Sequence, residues 1–327
     1  MMPDDLARLN EPYPETLEPT DNDAMEAIGL RLSNWTTLEN EVWADFTENP
    51  PYGVGWWAPD PGTSRRILIS DQLYCCLNSV ASNMTEAKLH WLEYLHTADR
   101  DDARLSDVVR MTPTGPIISM PKPRSPYEQL LPDLMRMHQA GMVRALASAL
   151  DCLAGVVIGV AALPLSILRA DLARTRQRLA TIARRSTVGT SRQAQFAAQL
   201  ETAIAAAGPP GWLDWTLDFR NMLVHRGRRI ELGQFVPINP VLYGPDGHPA
   251  PRARRISHLP RDPGRSDVEV FLDTPSRFVL HEDSRQTLEG LMRSTIDLIE
   301  ATATHMRDLW RWRRENPTAI RQPEAHW

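Results

Sequence analysis

The sequence predicts an all-α protein, a helical bundle of about five long helices with a small β-hairpin and proline-rich insertion before the last one. Three observations lead there. Apolar residues recur at three- and four-residue spacing over several long stretches. Prolines gather mostly between those stretches. Short runs of β-branched residues between turn signals appear in one place, residues 228–281. At 327 residues and 42% apolar composition, the chain can bury one large core or two modest ones.

Residues 1–66 carry eight prolines and read as an acidic arm with a short helix near 23–47. Residues 67–110 form an N-terminal helical segment, its apolar stripe running through Leu73, Leu77, Val80 and Met84 to Leu95. Five prolines make 111–126 a connector. The bundle proper spans 127–315. Ser125-Pro126 opens a helix that runs to about 163, and Pro164 fits the first turn of the next, which reaches about 185. A further helix covers about 190–207. Gly208-Pro209-Pro210-Gly211 breaks it, and another follows from Trp212 to the stop at Gly227. In the 228–281 insertion, strands are expected around Ile230–Val236, over Val268, Val270 and Leu272, which alternate, and at Phe278–Leu280. A long helix over 282–315 closes the chain.

Charge is unevenly spread. Net charge is −5, yet residues 1–50 hold twelve acids against Arg8 and Arg31, while residues 164–230 hold eleven arginines against four acids. A basic surface for an anionic partner is therefore compatible with the acidic average, and the acidic arm is placed to mask it in cis. The three cysteines, Cys75, Cys76 and Cys152, offer no disulfide framework and no zinc spacing, which fits a reducing cytoplasm. There is no glycine-rich phosphate loop and no Gly-x-Ser-x-Gly elbow. No metal or other cofactor is expected. The uncharged run from Cys152 to Leu168 lies at the lower limit of a bilayer span. Pro164 inside it and Asp151 before it favour a buried central helix over a membrane helix.

The stretch GWLDWTLDFRNMLVHRGRRI, residues 211–230, is the candidate for chemistry. Among its apolar residues, Asp214, Asp218, Asn221 and His225 fall at i, i+4, i+7 and i+11, one helical face. Arg220 lies about 140° around the helix from His225. Imidazole moves protons near neutral pH, a guanidinium neutralises phosphoryl oxygens, and an amide orients either. Together they can cleave RNA without a metal: a base takes the 2′-hydroxyl proton, the oxygen attacks the adjacent phosphorus, and an acid protonates the departing 5′-oxygen. One imidazole cannot be base and acid at once, so the scheme calls for two copies of the site and a homodimer.

Arg220-Asn221-Met222-Leu223-Val224-His225 resembles the Arg-Asn-x-x-x-His motif of HEPN domains, helical bundles that include many metal-independent endoribonucleases of toxin–antitoxin, phage-defence and RNA-processing systems. The resemblance implies that Arg220, Asn221 and His225 are the catalytic residues, that the active centre forms at a dimer interface, that RNA is the substrate, and that an antitoxin protein is a possible partner. It covers residues 127–315; residues 1–110 and the insertion lie outside it. Spacing alone carries little, since about three Arg–His pairs at four to six intervening residues are expected by chance. Arg252/His258 falls in a proline-rich loop and Arg321/His326 near Pro323, whereas Arg220/His225 sits at the end of an amphipathic helix.

Other residues have two readings each. His225 in a last helical turn is favoured by the helix dipole without any chemistry. Asn221, if buried, would need partners. Asp218 is either a solvent-facing residue or an orienting acid. Asp151, in a very apolar helix, is costly unless paired, and Arg220 or His225 would make it a supporting acid. Arg226, Arg228 and Arg229 at the helix end, with Arg176 and Arg184 in the run Arg169–Arg185, are candidate RNA-backbone contacts or a solvated surface. The alternative function is a non-catalytic helical module that binds nucleotide, RNA or protein.

Overall fold

A computed structural model describes residues 27–48, 63–112, 115–118, 123–184, 191–225, 232–243, 249–273 and 279–320. The chain divides into two compact units, Met1–Arg31 and Leu32–Trp327. Of the first, the described part is a short turn in which Gly29 adopts φ +70°, a conformation suited to glycine. All that follows concerns the second.

Its frame is a long antiparallel helical hairpin. Helix α1 (Ser33–Glu48) precedes it, and α2 (Thr63–Val108) runs back along α3 (Pro126–Val160). A two-stranded β-hairpin, β1 (Val109–Thr112) with β2 (Gly115–Ile118), joins the two helices; it takes Val109 and Arg110 from the expected helical segment and the rest from the stretch expected to be a plain connector. Ser125 starts α3 with a reciprocal capping box: its hydroxyl accepts from the Glu128 N–H, and Glu128 accepts from the Ser125 N–H, at 3.3 and 2.7 Å. Glycines let the helices close up. A Cβ at Gly155 would lie 2.6 Å from Cys76 Sγ, one at Gly159 would lie 2.8 Å from Leu73, and His90 occupies the space over Gly141. These pairings run in opposite directions along the two helices, which fixes the hairpin as antiparallel.

The second half of α3 is the centre of the core. Residues from Leu153 to Val160 are all buried. Among the described residues α3 is the one helix long and apolar enough to cross a membrane, and 78% of that window is buried inside the protein. A helix ending in such surroundings leaves carbonyls without intrahelical partners. Arg313 answers them: its Nη1 donates to the Gly159 and Val160 oxygens at 3.0 and 2.7 Å, and Gln193 Nε2 donates to Ala161 at 2.6 Å. Arg313 is fully enclosed, and burial pulls its guanidinium down to about 9.

This capping overturns one expected boundary. The chain does not re-enter a helix at Pro164. It stops at Val160, and Ala162 turns left-handed at φ 50°. After a 3-10 turn at Ile167–Arg169, α4 (Leu172–Arg184) begins behind Asp171, whose carboxylate accepts from the Arg174 N–H at 2.7 Å. Then come α5 (Ser191–Ala207), a Gly-Pro-Pro-Gly break with Gly211 at φ +83°, and α6 (Trp212–His225). The insertion is an antiparallel sheet in the order β3 (Leu232–Tyr243), β4 (Pro249–Pro260), β5 (Val279–Asp283). A second expectation fails here. Val268, Val270 and Leu272 alternate like a strand but belong to α7 (Asp267–Asp273). Ser266 and Glu269 cap each other's backbone N–H at 3.3 and 2.9 Å, and that local signal overrides the alternation.

The last helix, α8 (Ser284–Glu315), starts at an Asp283 cap and packs on α1, α3 and α5. Leu288, Leu298, Ile299, Met306 and Trp310 are buried along it. Acidic α1 does meet arginines, but those of α8: Glu41 pairs with Arg307 and Arg311, and Asp45 accepts from Trp310 Nε1 at 2.7 Å and from Arg314 at 3.1 Å. The bundle of helices with a small β insertion is therefore as the sequence predicts.

Candidate functional site

Helix α6 is amphipathic in the ordinary sense. Trp212, Leu213, Thr216, Phe219 and Met222 are buried, and the helix packs against α3. Two indole bonds lock it in place: Trp212 Nε1 donates to Ile204 O and Trp215 Nε1 to Pro260 O, both at 3.1 Å. Trp215 and Phe219 rings meet at 4.8 Å. This rigid seating turns the polar stripe outward. Asp214, Asp218, Asn221 and His225 are all exposed, and His225 is the last residue of the helix. Asn221 therefore needs no buried partners.

Arg220 does not share that face. It turns toward α3, where its Nη2 donates to Asp151 Oδ2 at 3.2 Å. Both side chains are about three-tenths exposed, 30% and 27%. The Arg220 Nε is buried and has no hydrogen-bond partner. Asp151 is thus paired, and of the two partners the sequence offers it, the structure selects Arg220 rather than His225. Burial pushes the Asp151 carboxyl above the usual range. Arg220 opposes this, Asp171 adds to it, and a bond from the Leu172 backbone works against it.

Sequence reasoning missed one neighbour. Arg144 on α3 reaches the last turn of α6, donating to the Leu223 carbonyl at 3.4 Å. It precedes Asp151 by seven residues, two helical turns, so the two fall on one face of α3 and Arg144 was findable once Asp151 was singled out. A cation there complements the negative end of α6.

The remaining candidates scatter. Arg176 is held by Glu201 through two bonds of 2.9 and 2.7 Å and lies 3.9 Å from Asp214, so its charge is matched within the bundle. Arg184 is exposed at the end of α4. Asp218 lies against the loop at Gly264, where a Cβ would come within 2.9 Å of its Oδ2. Arg226, Arg228 and Arg229 lie outside the described residues. Arg252 and His258, the second spaced pair, do not lie in the expected loop: both are in strand β4, paired with β3. Among the described residues no group of three or more His, Cys, Asp or Glu is arranged to hold a metal ion.

The arrangement presents an imidazole and an amide to solvent on one face, with two guanidiniums, those of Arg220 and Arg144, on the flank between α6 and α3. Such a group of side chains can exchange a proton and attract an anion. No family model, no curated protein and no solved structure matches the chain.

Proposed function

We propose that this protein is a metal-independent endoribonuclease that works as a homodimer, in a cytoplasmic defence or toxin–antitoxin setting where an antitoxin protein restrains it. The reading rests on the resemblance of Arg220-Asn221-x-x-x-His225 to the HEPN motif. One structural observation supports it: His225 and Asn221 stand exposed together at the end of a firmly seated helix, with Arg220 held on the adjoining flank, toward the facing helix, by Asp151. In this scheme His225 of one copy takes the 2′-hydroxyl proton, and its counterpart protonates the 5′-oxygen. Asn221 orients the imidazole. Arg220 has donors beyond the one given to Asp151 and offers them to the phosphorane. The test is RNA cleavage by the full chain in EDTA. His225→Ala should lower the rate by about 100-fold or more, the usual contribution of general acid–base catalysis. Undiminished cleavage by His225→Ala rejects the assignment.

The Arg220–Asp151 pair favours a second reading, a non-catalytic helical module for RNA, nucleotide or protein, in which Arg220 ties α6 to α3. Under it, His225→Ala alters no RNA product, and Arg220→Ala lowers the melting temperature.

A further inference from the structure

Helix α4 sorts its arginines. Arg176 faces the bundle and is neutralised by Glu201 and Asp214. Arg169, Arg174 and Arg178 instead line a concavity of about 390 Å³ between α4 and the 3-10 turn that precedes it. That volume lies within the usual range for small-molecule sites. Neither Arg169 nor Arg178 has an ion-pair partner among the described residues, and the Arg178 Nε is buried with no hydrogen-bond acceptor. A buried guanidinium N–H without an acceptor is costly, and Arg169, Arg174 and Arg178 together give the concavity a positive lining suited to an anion. Asp171 supplies the one carboxylate in the lining. It is already committed, capping the Arg174 N–H at 2.7 Å and lying 3.7 Å from the Arg174 side chain. Three guanidiniums against one carboxylate leave an excess of two positive charges.

We infer that this concavity binds a phosphomonoester, the terminal phosphate of a small polar metabolite. A phosphate dianion matches the charge excess, and its oxygens accept several N–H bonds at once. Ser166 and Thr181 in the lining add hydroxyls that suit a sugar-sized body. No aromatic ring is among the lining residues, so there is no platform for stacking the bases of a single strand. The cations also converge in one hollow instead of following a track, which favours a terminal phosphate over a polynucleotide backbone.

Calorimetric titration of the full chain tests this, with inorganic phosphate, ribose 5-phosphate, ribose, and a single-stranded RNA lacking terminal phosphates as probes. Both phosphates should bind saturably, and ribose and the RNA should not bind at this site. Arg178→Gln should weaken phosphate binding by about tenfold or more, the equivalent of one charge-assisted contact. Arg169 is exposed, so Arg169→Gln keeps the fold intact and should weaken binding in the same direction. Arg178→Lys should recover part of the loss. The inference fails if neither phosphate binds the full chain. It fails equally if folded Arg169→Gln binds as tightly as the parent, or if only the RNA binds and loses affinity in the arginine variants.

Discussion

Arg220 and Asp151 show what a sequence can and cannot disclose about a side chain. A carboxylate inside an apolar helix announces that it needs a partner, and Arg220 is that partner at 3.2 Å. Asn221 gave the opposite lesson. Its apolar neighbours suggested burial, but helix α6 buries only one face and Asn221 lies on the other. Burial depends on which way a helix is turned, and that is set by its packing partners, here the two tryptophan bonds to Ile204 and Pro260. The pair also makes a pH-dependent prediction. Burial already raises the Asp151 pKa despite the arginine, so Arg220→Gln should raise it further. An acid with a raised folded pKa penalises the fold when ionised, and the penalty fades as pH falls through that pKa. The variant should therefore lose about 1–2 kcal/mol at neutral pH and less in mild acid, read from urea midpoints. A loss that is the same at both pH values would show that the carboxylate does not depend on Arg220.

Helices α2 and α3 were legible from their periodicity, but not the manner of their contact. Gly141, Gly155 and Gly159 admit His90, Cys76 and Leu73 of the facing helix, a fit visible only when both are in register. The end of α3 was misjudged for a related reason. Its stop is enforced by Arg313, 153 residues beyond Val160, and no local signal announces so distant a cap. The β-like alternation in α7 failed because a Ser266/Glu269 capping box outweighs three apolar residues. The α2–α3 contact also carries a histidine pair. His90 Nδ1 and His138 Nδ1 are 3.1 Å apart, a bond that needs one ring nitrogen protonated and the other bare. Burial, and after it the neighbouring His90, hold the His138 pKa below its ordinary value, with Glu93 opposing. A histidine with a depressed folded pKa supports the fold above its unfolded value, about 6.5, and withdraws that support as pH falls through it. The melting temperature should therefore fall on acidification from about pH 7.5 to 5.5, and His138→Phe should flatten that slope. An unchanged slope in the variant would place the acid sensitivity elsewhere.

Across the bundle, charge is distributed by helix more than by sequence region. The acids Glu41 and Asp45 of α1 engage α8, with Arg311 and Arg307 outweighing burial to hold the Glu41 carboxyl below its usual range. Of the arginines of α4, Arg176 is paired within the bundle while Arg174 and Arg178 line the open concavity. The all-α architecture was legible because long amphipathic stretches and proline clusters are local properties of the chain. Whether two copies build one site is a property of an assembly, and the strongest demand of the proposed chemistry falls there. If one copy's His225 is the base and the other's is the acid, a mixed dimer holding a single His225→Ala subunit has no complete site. The decisive measurement mixes parent and His225→Ala chains in varying proportion, lets subunits exchange, and records RNA cleavage in EDTA. Activity should fall as the square of the parent fraction. A linear decline would mean that each copy works alone, and an absence of cleavage in the undiluted parent would remove the ribonuclease reading altogether.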